Sequence, residues 1–403
     1  MTRELTDFHR ILARAVLVLA ACFFSLLIAE GIIRLVRPQG VSVPWQDEVN
    51  GIVAPRPGVR GRHAVPNTFD VTVSFNSQRF RGRRDYQLEP PLGGIRIATL
   101  GDSFTLGYGA NDDETYPAQL ERILRQRLAR SGPQLVAEVI NAGNINTGTG
   151  EQALWFDIWV KQFHPHVVIL TVVANDVEDD LDRGLFVLDE KGRASPRSLQ
   201  ELVAAGRRLR LIRQAVNSFP GYSFLAQHSQ LLSFLRIEFP RLLTGRTEPA
   251  PKTTMARQRE ALAVQYHEKG LPMMAAEVSW LRKQVQSAGG RLVVVFVPFR
   301  ESIYSSQAPW ADDIRWKSEA IVETLRKECS QEAIPFKDLT SWMQAQALHL
   351  RQPLYYKGTE LHPNPTGYRV IAEAIASFLI AEGMIPSASL NSSAVVTRGR
   401  SIV

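Results

Sequence analysis

The sequence predicts an α/β fold in which a mainly parallel, five-stranded sheet is covered by helices on both faces. Apolar runs of strand length recur along the chain, and segments with the apolar periodicity of helices follow them. The runs lie at residues 95–100, 135–140, 167–174 and 292–297, with a weaker one at 334–339. Continuous apolar residues are typical of strands that are buried on both faces, and such strands form parallel sheets between helical layers.

The helical segments and the length of the chain agree with this fold. With 403 residues and 45% hydrophobic content, the chain can bury one large α/β core or two modest ones. We place this domain at residues 94–385 and its helices at residues 116–128, 150–162, 273–288, 314–329 and 366–381.

The N-terminal segment predicts a transmembrane helix. Residues 15–29 read AVLVLAACFFSLLIA without a charge, and the apolar stretch continues to Ile33 if Glu30 is tolerated. A helix of this kind is roughly 28 Å long at ~1.5 Å per residue, close to the hydrocarbon thickness of a bilayer. Residues 1–37 are therefore expected to form a cytoplasmic stub and an anchor. The letters LAAC ending at Cys22 also resemble a lipoprotein cleavage site, but the residues after Cys22 stay apolar, which favours the uncleaved anchor.

Three further segments complete the organisation. Residues 38–93 are rich in Pro, Gly and Arg, and their alternating run FDVTVSF at 69–75 predicts a linker with a short β hairpin. Residues 181–270 are too long for a loop and predict a mostly helical insertion, with helices at 199–216, 222–235 and 255–269. The Ser-rich residues 386–403 predict a disordered tail.

Four short polar stretches carry the chemistry of the chain. They are Gly101-Asp102-Ser103, residues 141–146, Asn175-Asp176 and His362-Pro363-Asn364. The first three follow predicted strands and the fourth precedes the last helix, so all four can meet at the sheet edge where α/β proteins bind ligands. Together they supply a nucleophile, an oxyanion hole and a general base, the groups that acyl transfer at an ester requires.

A serine nucleophile needs a base, and the base needs orientation. His362 is the best-placed imidazole to accept the proton of the Ser103 hydroxyl. Glu360 can accept a hydrogen bond from Nδ1 of His362 and stabilise the imidazolium that forms. A carboxylate near a helix end can equally act only as a cap, and this alternative stays open for Glu360.

These stretches resemble the conserved blocks of the SGNH or GDSL hydrolases, a family with a three-layer α/β/α, flavodoxin-like fold. The matching sequences are ATLGDSFTLGYG at 98–109, NAGNINTGTGEQ at 141–152, VVILTVVANDVEDD at 167–180 and LYYKGTELHPNPTGYRVIA at 354–372. The anchor followed by FNSQRFRG at 75–82 also resembles a membrane-attached bacterial branch of this family.

The resemblance implies a role for each site residue. Ser103 is implied as the nucleophile, with its backbone N–H as one oxyanion donor and the side-chain amide of Asn175 as another. The family's donor glycine is replaced by Asn146, with Gly143 or Gly148 as alternatives if the register slips. Asn is less permissive than Gly where a positive φ is required, and Asn175 before an aspartate could also serve only to make a turn.

The aspartates around these blocks are expected to have lesser roles. We expect Asp102 to fix the turn at the nucleophile and Asp176 to anchor the loop of the third block. Asp179 and Asp180 are expected to be solvated.

The expected function is a membrane-anchored serine ester hydrolase that acts through an acyl-enzyme intermediate. An O-acyltransferase that modifies a polysaccharide or cell-envelope glycan would use the same residues, and a catalytically idle binding or assembly domain is a third hypothesis. The substrate would be an acylated small molecule, lipid or glycan. Its identity, the acyl length and the oligomeric state are not determined by the sequence.

The expected location is the bacterial inner membrane, with the catalytic domain on the periplasmic side. Arg3, Arg10 and Arg14 precede the span whereas Arg34 and Arg37 follow it, a bias that keeps the N-terminus in the cytoplasm.

Other partners are not expected. The net charge of +7 is spread along the chain, and basic runs without interleaved aromatic residues do not predict nucleic-acid binding. No cofactor or metal is expected, because His164-Pro-His166 has no cluster of carboxylates or thiolates near it in the sequence.

Overall fold

The computed structural model describes residues 2–129, 136–243, 263–304, 310–358 and 360–385. The chain begins with the long helix α1 (Thr2–Val36). The segment His9–Val36 is long and apolar enough to cross a membrane, with a mean hydropathy of 2.6 and no part of that apolar stretch buried inside the protein.

Residues 38–93 contain more β structure than the single hairpin that the sequence predicts. Strands β1 (Val41–Ser42), β4 (Arg60–Val65) and β5 (Phe69–Ser74) form an antiparallel sheet in the order β1-β4-β5, and β2 (Gln46–Val49) pairs with β3 (Ile52–Pro55). The prediction was incomplete because β3 is buried along its whole length and packs into the main core, so its residues do not alternate.

The central sheet is parallel and has five strands, as predicted. A small antiparallel hairpin, β9 (Phe186–Leu188) with β10 (Ala194–Pro196), lies outside it. The order of the central sheet is β12-β11-β8-β6-β7, the flavodoxin-like order of a doubly wound fold. Its strands are β6 (Ile95–Leu100), β7 (Ala137–Asn141), β8 (Val167–Val172), β11 (Arg291–Phe296) and β12 (Phe336–Asp338).

Helices cover both faces of this sheet. In chain order after α1 they are α2 (Ser103–Leu106), α3 (Tyr116–Ala129), α4 (Thr149–Ile158), α5 (Asp176–Arg183), α6 (Leu199–Asn217), α7 (Tyr222–His228), α8 (Gln230–Leu243), α9 (Leu271–Ser287), α10 (Arg300–Ile303), α11 (Ala311–Gln331), α12 (Thr340–Leu350) and α13 (Pro365–Ala381). Helices α4, α9 and α11 share one hydrophobic core, and α3, α12 and α13 share the other. The three-layer prediction is confirmed.

The sequence pattern does not predict helix α12. Met343 is its one fully buried residue among those described, so its apolar periodicity is weak. The helix packs against α13 in the same layer, and this tertiary contact is not visible in the local sequence.

The insertion of residues 181–270 is mostly helical but also carries the β9–β10 hairpin. The predicted helix at 222–235 is two helices, α7 and α8, because Ser229 adopts an extended conformation between them. Of the predicted helix at 255–269, residues 255–262 lie outside the described residues, and Tyr266–Gly270 forms a π-helical turn before α9. The tail at 386–403 also lies outside the described residues.

Candidate active site

The turn at the carboxyl end of β6 requires glycine. Gly101 has a φ of 155°, and a Cβ atom at this position would lie 2.1 Å from Oγ1 of Thr105. Only a residue without a side chain fits so close to the following helix. The turn lets α2 begin at Ser103, whose hydroxyl lies at the sheet edge where ligands bind in α/β folds.

Ser103 and His362 meet at this edge although they are 259 positions apart. Nε2 of His362 lies 2.8 Å from Oγ of Ser103, and Nδ1 of His362 hydrogen-bonds Oε1 of Glu360. The three side chains therefore form one hydrogen-bonded chain from hydroxyl to imidazole to carboxylate. In this geometry an imidazole can accept the proton of the hydroxyl while the carboxylate orients the ring.

Glu360 is placed to remain charged. Burial raises the pKa of its carboxyl, but the hydrogen bond and the charge of His362, together with two backbone N–H groups, lower that pKa below its ordinary value. One of these groups is the N–H of Leu361, which donates to Oε1 at 3.1 Å. Glu360 is therefore an anion at neutral pH and can accept a hydrogen bond from Nδ1 of His362.

Arg300 holds the loop that carries Glu360. Its Nη1 donates to the backbone oxygens of Gly358 at 2.7 Å, Tyr356 at 3.3 Å and Glu360 at 3.4 Å. Its Nη2 donates to the buried carboxylate of Glu301 at 2.9 Å. The sequence pattern alone indicates no role for Arg300. Its position just beyond the apolar run at 292–297 is the signal that could have identified it, because that position also belongs to the ligand-binding edge.

Asp102 shapes the turn at Ser103, as we expected. Its Oδ1 accepts from the N–H of Phe104 at 2.9 Å and caps α2, while its Oδ2 lies 3.2 Å from Oγ of Ser103. Burial raises the pKa of this carboxyl. The Ser103 hydroxyl thus has two neighbouring acceptors, Asp102 and His362.

Two aromatic rings restrict the imidazole. The ring of Tyr108 stacks on that of His362 with centroids 4.4 Å apart, and the ring of Phe104 lies 5.2 Å away. Burial and the charge of Glu360 raise the pKa of Tyr108 to about 12, so this ring stays neutral. These contacts keep Nε2 directed towards Ser103.

The loop after β7 carries the three candidates for the glycine donor. Asn146 has a φ of 54°, the left-handed conformation that favours glycine, and its side chain is exposed. Gly143 already donates its N–H to Oδ1 of Asn141 at 3.1 Å. Gly148 adopts an extended conformation at the start of α4. Within the described part of the chain, the N–H of Asn146 has no protein acceptor.

Asn175 follows β8 and precedes α5, and its amide has a carboxylate partner. Its Nδ2 donates to Oδ2 of Asp179 at 2.7 Å, which occupies one of the two amide hydrogens. The prediction that Asp179 is solvated is wrong. Burial raises its pKa, partly offset by the hydrogen bond from Asn175. The sequence does not show that a helix starts here and brings Asp179 beside Asn175, four positions earlier, so its partner could not be foreseen.

Asp180 was also predicted to be solvated, and this prediction is wrong as well. It is buried, and its carboxyl accepts from the N–H groups of Thr149 at 3.1 Å and Gly150 at 2.8 Å. It thereby fixes the start of α4, just after the loop of Asn146. Burial raises the pKa of Asp180 and of Glu277, its buried hydrogen-bonding neighbour on α9.

Asp176 lies within the loop that it was expected to anchor. Its Oδ2 accepts from the N–H of Val173 at 3.3 Å, and the residue is fully buried.

The two histidines of His164-Pro-His166 lie at the entry to β8. Nδ1 of His166 accepts from the N–H of Arg96 at 3.0 Å, which ties this turn to β6. Among the described residues, no group of three or more His, Cys, Asp or Glu side chains is arranged to hold a metal ion.

Comparison with known proteins identifies the family. The profile of the GDSL-like Lipase/Acylhydrolase family matches residues 99–370, about two thirds of the chain. No curated protein sequence matches. Among solved structures, an acetyl xylan esterase, AlAXEase, is 13% identical with a TM-score of 0.40, over 70% of this chain and 98% of its own. A catalytic mutant of an acetylxylan esterase from Geobacillus stearothermophilus is 11% identical with a TM-score of 0.39, over 72% and 96%.

The site and the family agree on the type of reaction. The profile begins in β6 just before Ser103 and ends within α13 just after His362, so it encloses the hydrogen-bonded chain of the site. The protein belongs to the GDSL-like lipase/acylhydrolase family and is a hydrolase of ester bonds.

Proposed function

We propose that this protein is a membrane-anchored serine esterase in which Ser103 is the nucleophile. The observation that carries the proposal is the 2.8 Å contact between Oγ of Ser103 and Nε2 of His362, with Nδ1 of the same ring bound to Glu360. A serine hydroxyl is scarcely ionised at neutral pH, and a base within hydrogen-bonding distance removes this limitation.

The first half of the reaction forms an acyl-enzyme. Oγ of Ser103 attacks the ester carbonyl as His362 takes the hydroxyl proton on Nε2. Glu360 stabilises the resulting imidazolium through Nδ1. Collapse of the tetrahedral intermediate then expels the alcohol, which receives the proton from Nε2 of His362.

Three donors are proposed to stabilise the oxyanion: the backbone N–H groups of Ser103 and Asn146, and the side-chain amide of Asn175. Ser103 is the first residue of α2, where a backbone N–H has no acceptor within its own helix. Asn146 retains the backbone donor in a glycine-like conformation. Asn175 keeps one amide hydrogen beyond the one bound by Asp179.

The second half releases the acyl group to water, with His362 as the base that activates it. An acceptor hydroxyl of a glycan could take the place of water, and the enzyme would then be an O-acyltransferase. Incubating the protein with an acyl donor, with and without a polysaccharide acceptor, and analysing the products would distinguish the two. An acylated polysaccharide as the main product would contradict the hydrolase proposal.

We further propose that residues 1–37 anchor the protein in the bacterial inner membrane with the domain at 94–385 in the periplasm. The apolar character of α1 supports the anchor. The orientation is supported by the arginine count, with three arginines before the span and two, Arg34 and Arg37, after it. Protease digestion of spheroplasts tests it, because only a periplasmic domain would be degraded.

A serine-reactive phosphonate probe tests the nucleophile. The wild type should be labelled, Ser103→Ala should not, and Ser77→Ala is the control because the Ser77 hydroxyl binds Asp85 on an exposed part of the surface. Labelling that persists in Ser103→Ala would eliminate the assigned nucleophile. A folded wild type that takes no label would favour the idle binding domain instead.

A further inference from the structure

The end of helix α1 is fastened to the helical insertion. The carboxylate of Glu30 accepts from Oγ of Ser229 at 2.8 Å and from the N–H groups of Gln230 and Leu231, both at 2.9 Å. Arg34 donates to the backbone oxygen of His228 at 2.6 Å. The end of α7 and the start of α8 therefore lie at the level of Glu30, the first charge after the apolar run of α1.

The same part of the insertion exposes large apolar side chains. Phe219 is 67% exposed and Phe224 is 63% exposed, and Val216, Leu225 and Leu235 are exposed as well. We call these five side chains the apolar surface of the insertion. Monomeric soluble proteins rarely concentrate large exposed apolar residues in this way, whereas single ones are common.

Contacts within α7 and between α7 and α8 connect part of this surface to the end of α1. The ring of Phe224 stacks on that of His228 with centroids 4.4 Å apart, and His228 is the residue that Arg34 binds. The guanidinium of Arg236 lies 5.7 Å from the centre of the Tyr222 ring. This second contact brings the middle of α8 beside the turn that carries Phe219.

Cationic side chains accompany the apolar surface. Besides Arg236 at the Tyr222 ring, Arg37 lies 5.9 Å from the centre of the Phe234 ring, next to Leu235. Aromatic and cationic residues side by side are typical of segments at the boundary between hydrocarbon and lipid headgroups.

We infer that the insertion docks on the lipid bilayer, with Val216, Phe219, Phe224, Leu225 and Leu235 inserted at the membrane interface. The inference rests on the proposed role of α1 as a membrane anchor. If α1 spans the bilayer, its apolar run ends at Glu30, and the contacts of Glu30 and Arg34 place α7 and α8 where the headgroups begin. The bilayer is then the apolar phase adjacent to these side chains.

Docking would also fix the active site relative to the membrane. A cavity of about 420 Å³ is lined by Val216 and Tyr222 of the insertion, by Trp45 of the segment before the hydrolase domain and by Tyr108. Tyr108 stacks on the imidazole of His362. A docked insertion therefore brings this cavity, which reaches the ring stacked on His362, close to the lipid surface.

Site-specific labelling of the full-length protein in nanodiscs of phosphatidylethanolamine and phosphatidylglycerol tests the inference. Phe219→Cys and Phe224→Cys, each combined with Cys22→Ser, are labelled with an environment-sensitive fluorophore, since Cys329 is buried. Lipids carrying a nitroxide near the headgroup serve as the quencher for labels on the insertion, and lipids carrying it deep in the acyl chain serve for Cys22, which lies near the middle of α1. The matched control is Leu348→Cys on α12, an apolar residue that is 81% exposed.

We expect labels at 219 and 224 to lose most of their fluorescence to the lipid quencher, while the label at 348 stays bright. The native Cys22, labelled in the otherwise unaltered protein, reports on the anchor separately. A bright label at Cys22 would refute the anchor itself. A quenched Cys22 with labels at 219 and 224 as bright as that at 348 would overturn the docking alone. Each variant must retain the melting temperature of the wild type, and Leu225→Cys replaces a variant that does not.

Discussion

Replacing Glu360 by Gln tests whether the carboxylate acts through its charge. Gln has nearly the same shape, so the loop held by Arg300 should keep its position. The amide loses the negative charge that stabilises the imidazolium of His362. It can also donate a hydrogen bond to Nδ1, which would leave the proton on Nε2 and make the ring unable to accept one from Ser103.

The expected loss follows from the geometry of the pair. Opposite unit charges ~4 Å apart attract by about 4 kcal/mol at the effective dielectric constant of ~20 that suits sites near a protein surface. The side chains of His362 and Glu360 are 19% and 15% exposed, so solvent screens part of this attraction. A loss of about 3 to 4 kcal/mol lowers kcat/KM by roughly two to three orders of magnitude, at ~1.36 kcal/mol per tenfold.

Hydrolysis of a chromogenic short-chain ester is the assay, with Glu360→Asp as the control. Asp keeps the charge on a shorter arm, so this variant should retain more activity than Glu360→Gln, with KM little changed in both. The reasoning is refuted if Glu360→Gln keeps most of the wild-type kcat/KM, because the carboxylate would then act only as a backbone cap for Leu361.

Three further predictions concern residues around the site. Asn175→Ala should lower kcat by about 100- to 1000-fold, because an oxyanion donor is worth about 2.7 to 4 kcal/mol. Asp179→Ala only frees the amide of Asn175 and should lower kcat less. If steady-state assays show the opposite order, these two roles are wrong. Asn146→Gly should leave kcat unchanged, while Asn146→Val should destabilise the fold by about 1 to 2 kcal/mol because of its left-handed backbone, measured by denaturation. Buried Asp180 and Glu277 have raised pKa values, so the folded state keeps protons that the unfolded chain releases above about pH 4. Their contribution to stability is therefore lost as pH rises, and Glu277→Gln should flatten the fall of melting temperature between pH 5 and 8; an unchanged slope would contradict this.

The fold was predictable where a strand is long and buried on both faces, because such a strand leaves a clear apolar run in the sequence. All six residues of β8 are buried, so the strand reads as an uninterrupted apolar run. Strand β3 is equally buried but short, and the flanking prolines and glycines of its segment resemble a linker. β3 is a strand because it packs into a core that is completed by helices far along the chain, and the local sequence does not show this core.

The part of the site that was predictable is the part carried by short sequence motifs. The sequence indicated Ser103, His362 and Glu360 as a set, and the fold brings them into contact, while the catalytic role of each stays a prediction. Asp180 could not be recognised because charged residues are normally exposed, and its burial depends on bonds to the N–H groups of Thr149 and Gly150 and to Glu277, which the sequence does not show.

The separation of Ser103 and His362 along the chain affects when the enzyme can become active. Ribosomes add roughly 5 to 20 residues per second, so the 259 positions between the two residues correspond to about 13 to 50 seconds of synthesis. The N-terminal helix leaves the ribosome well before His362 is made. A chain that α1 directs into the membrane would therefore reach its destination without a competent base, and no ester could be cleaved by this pair of residues during its synthesis.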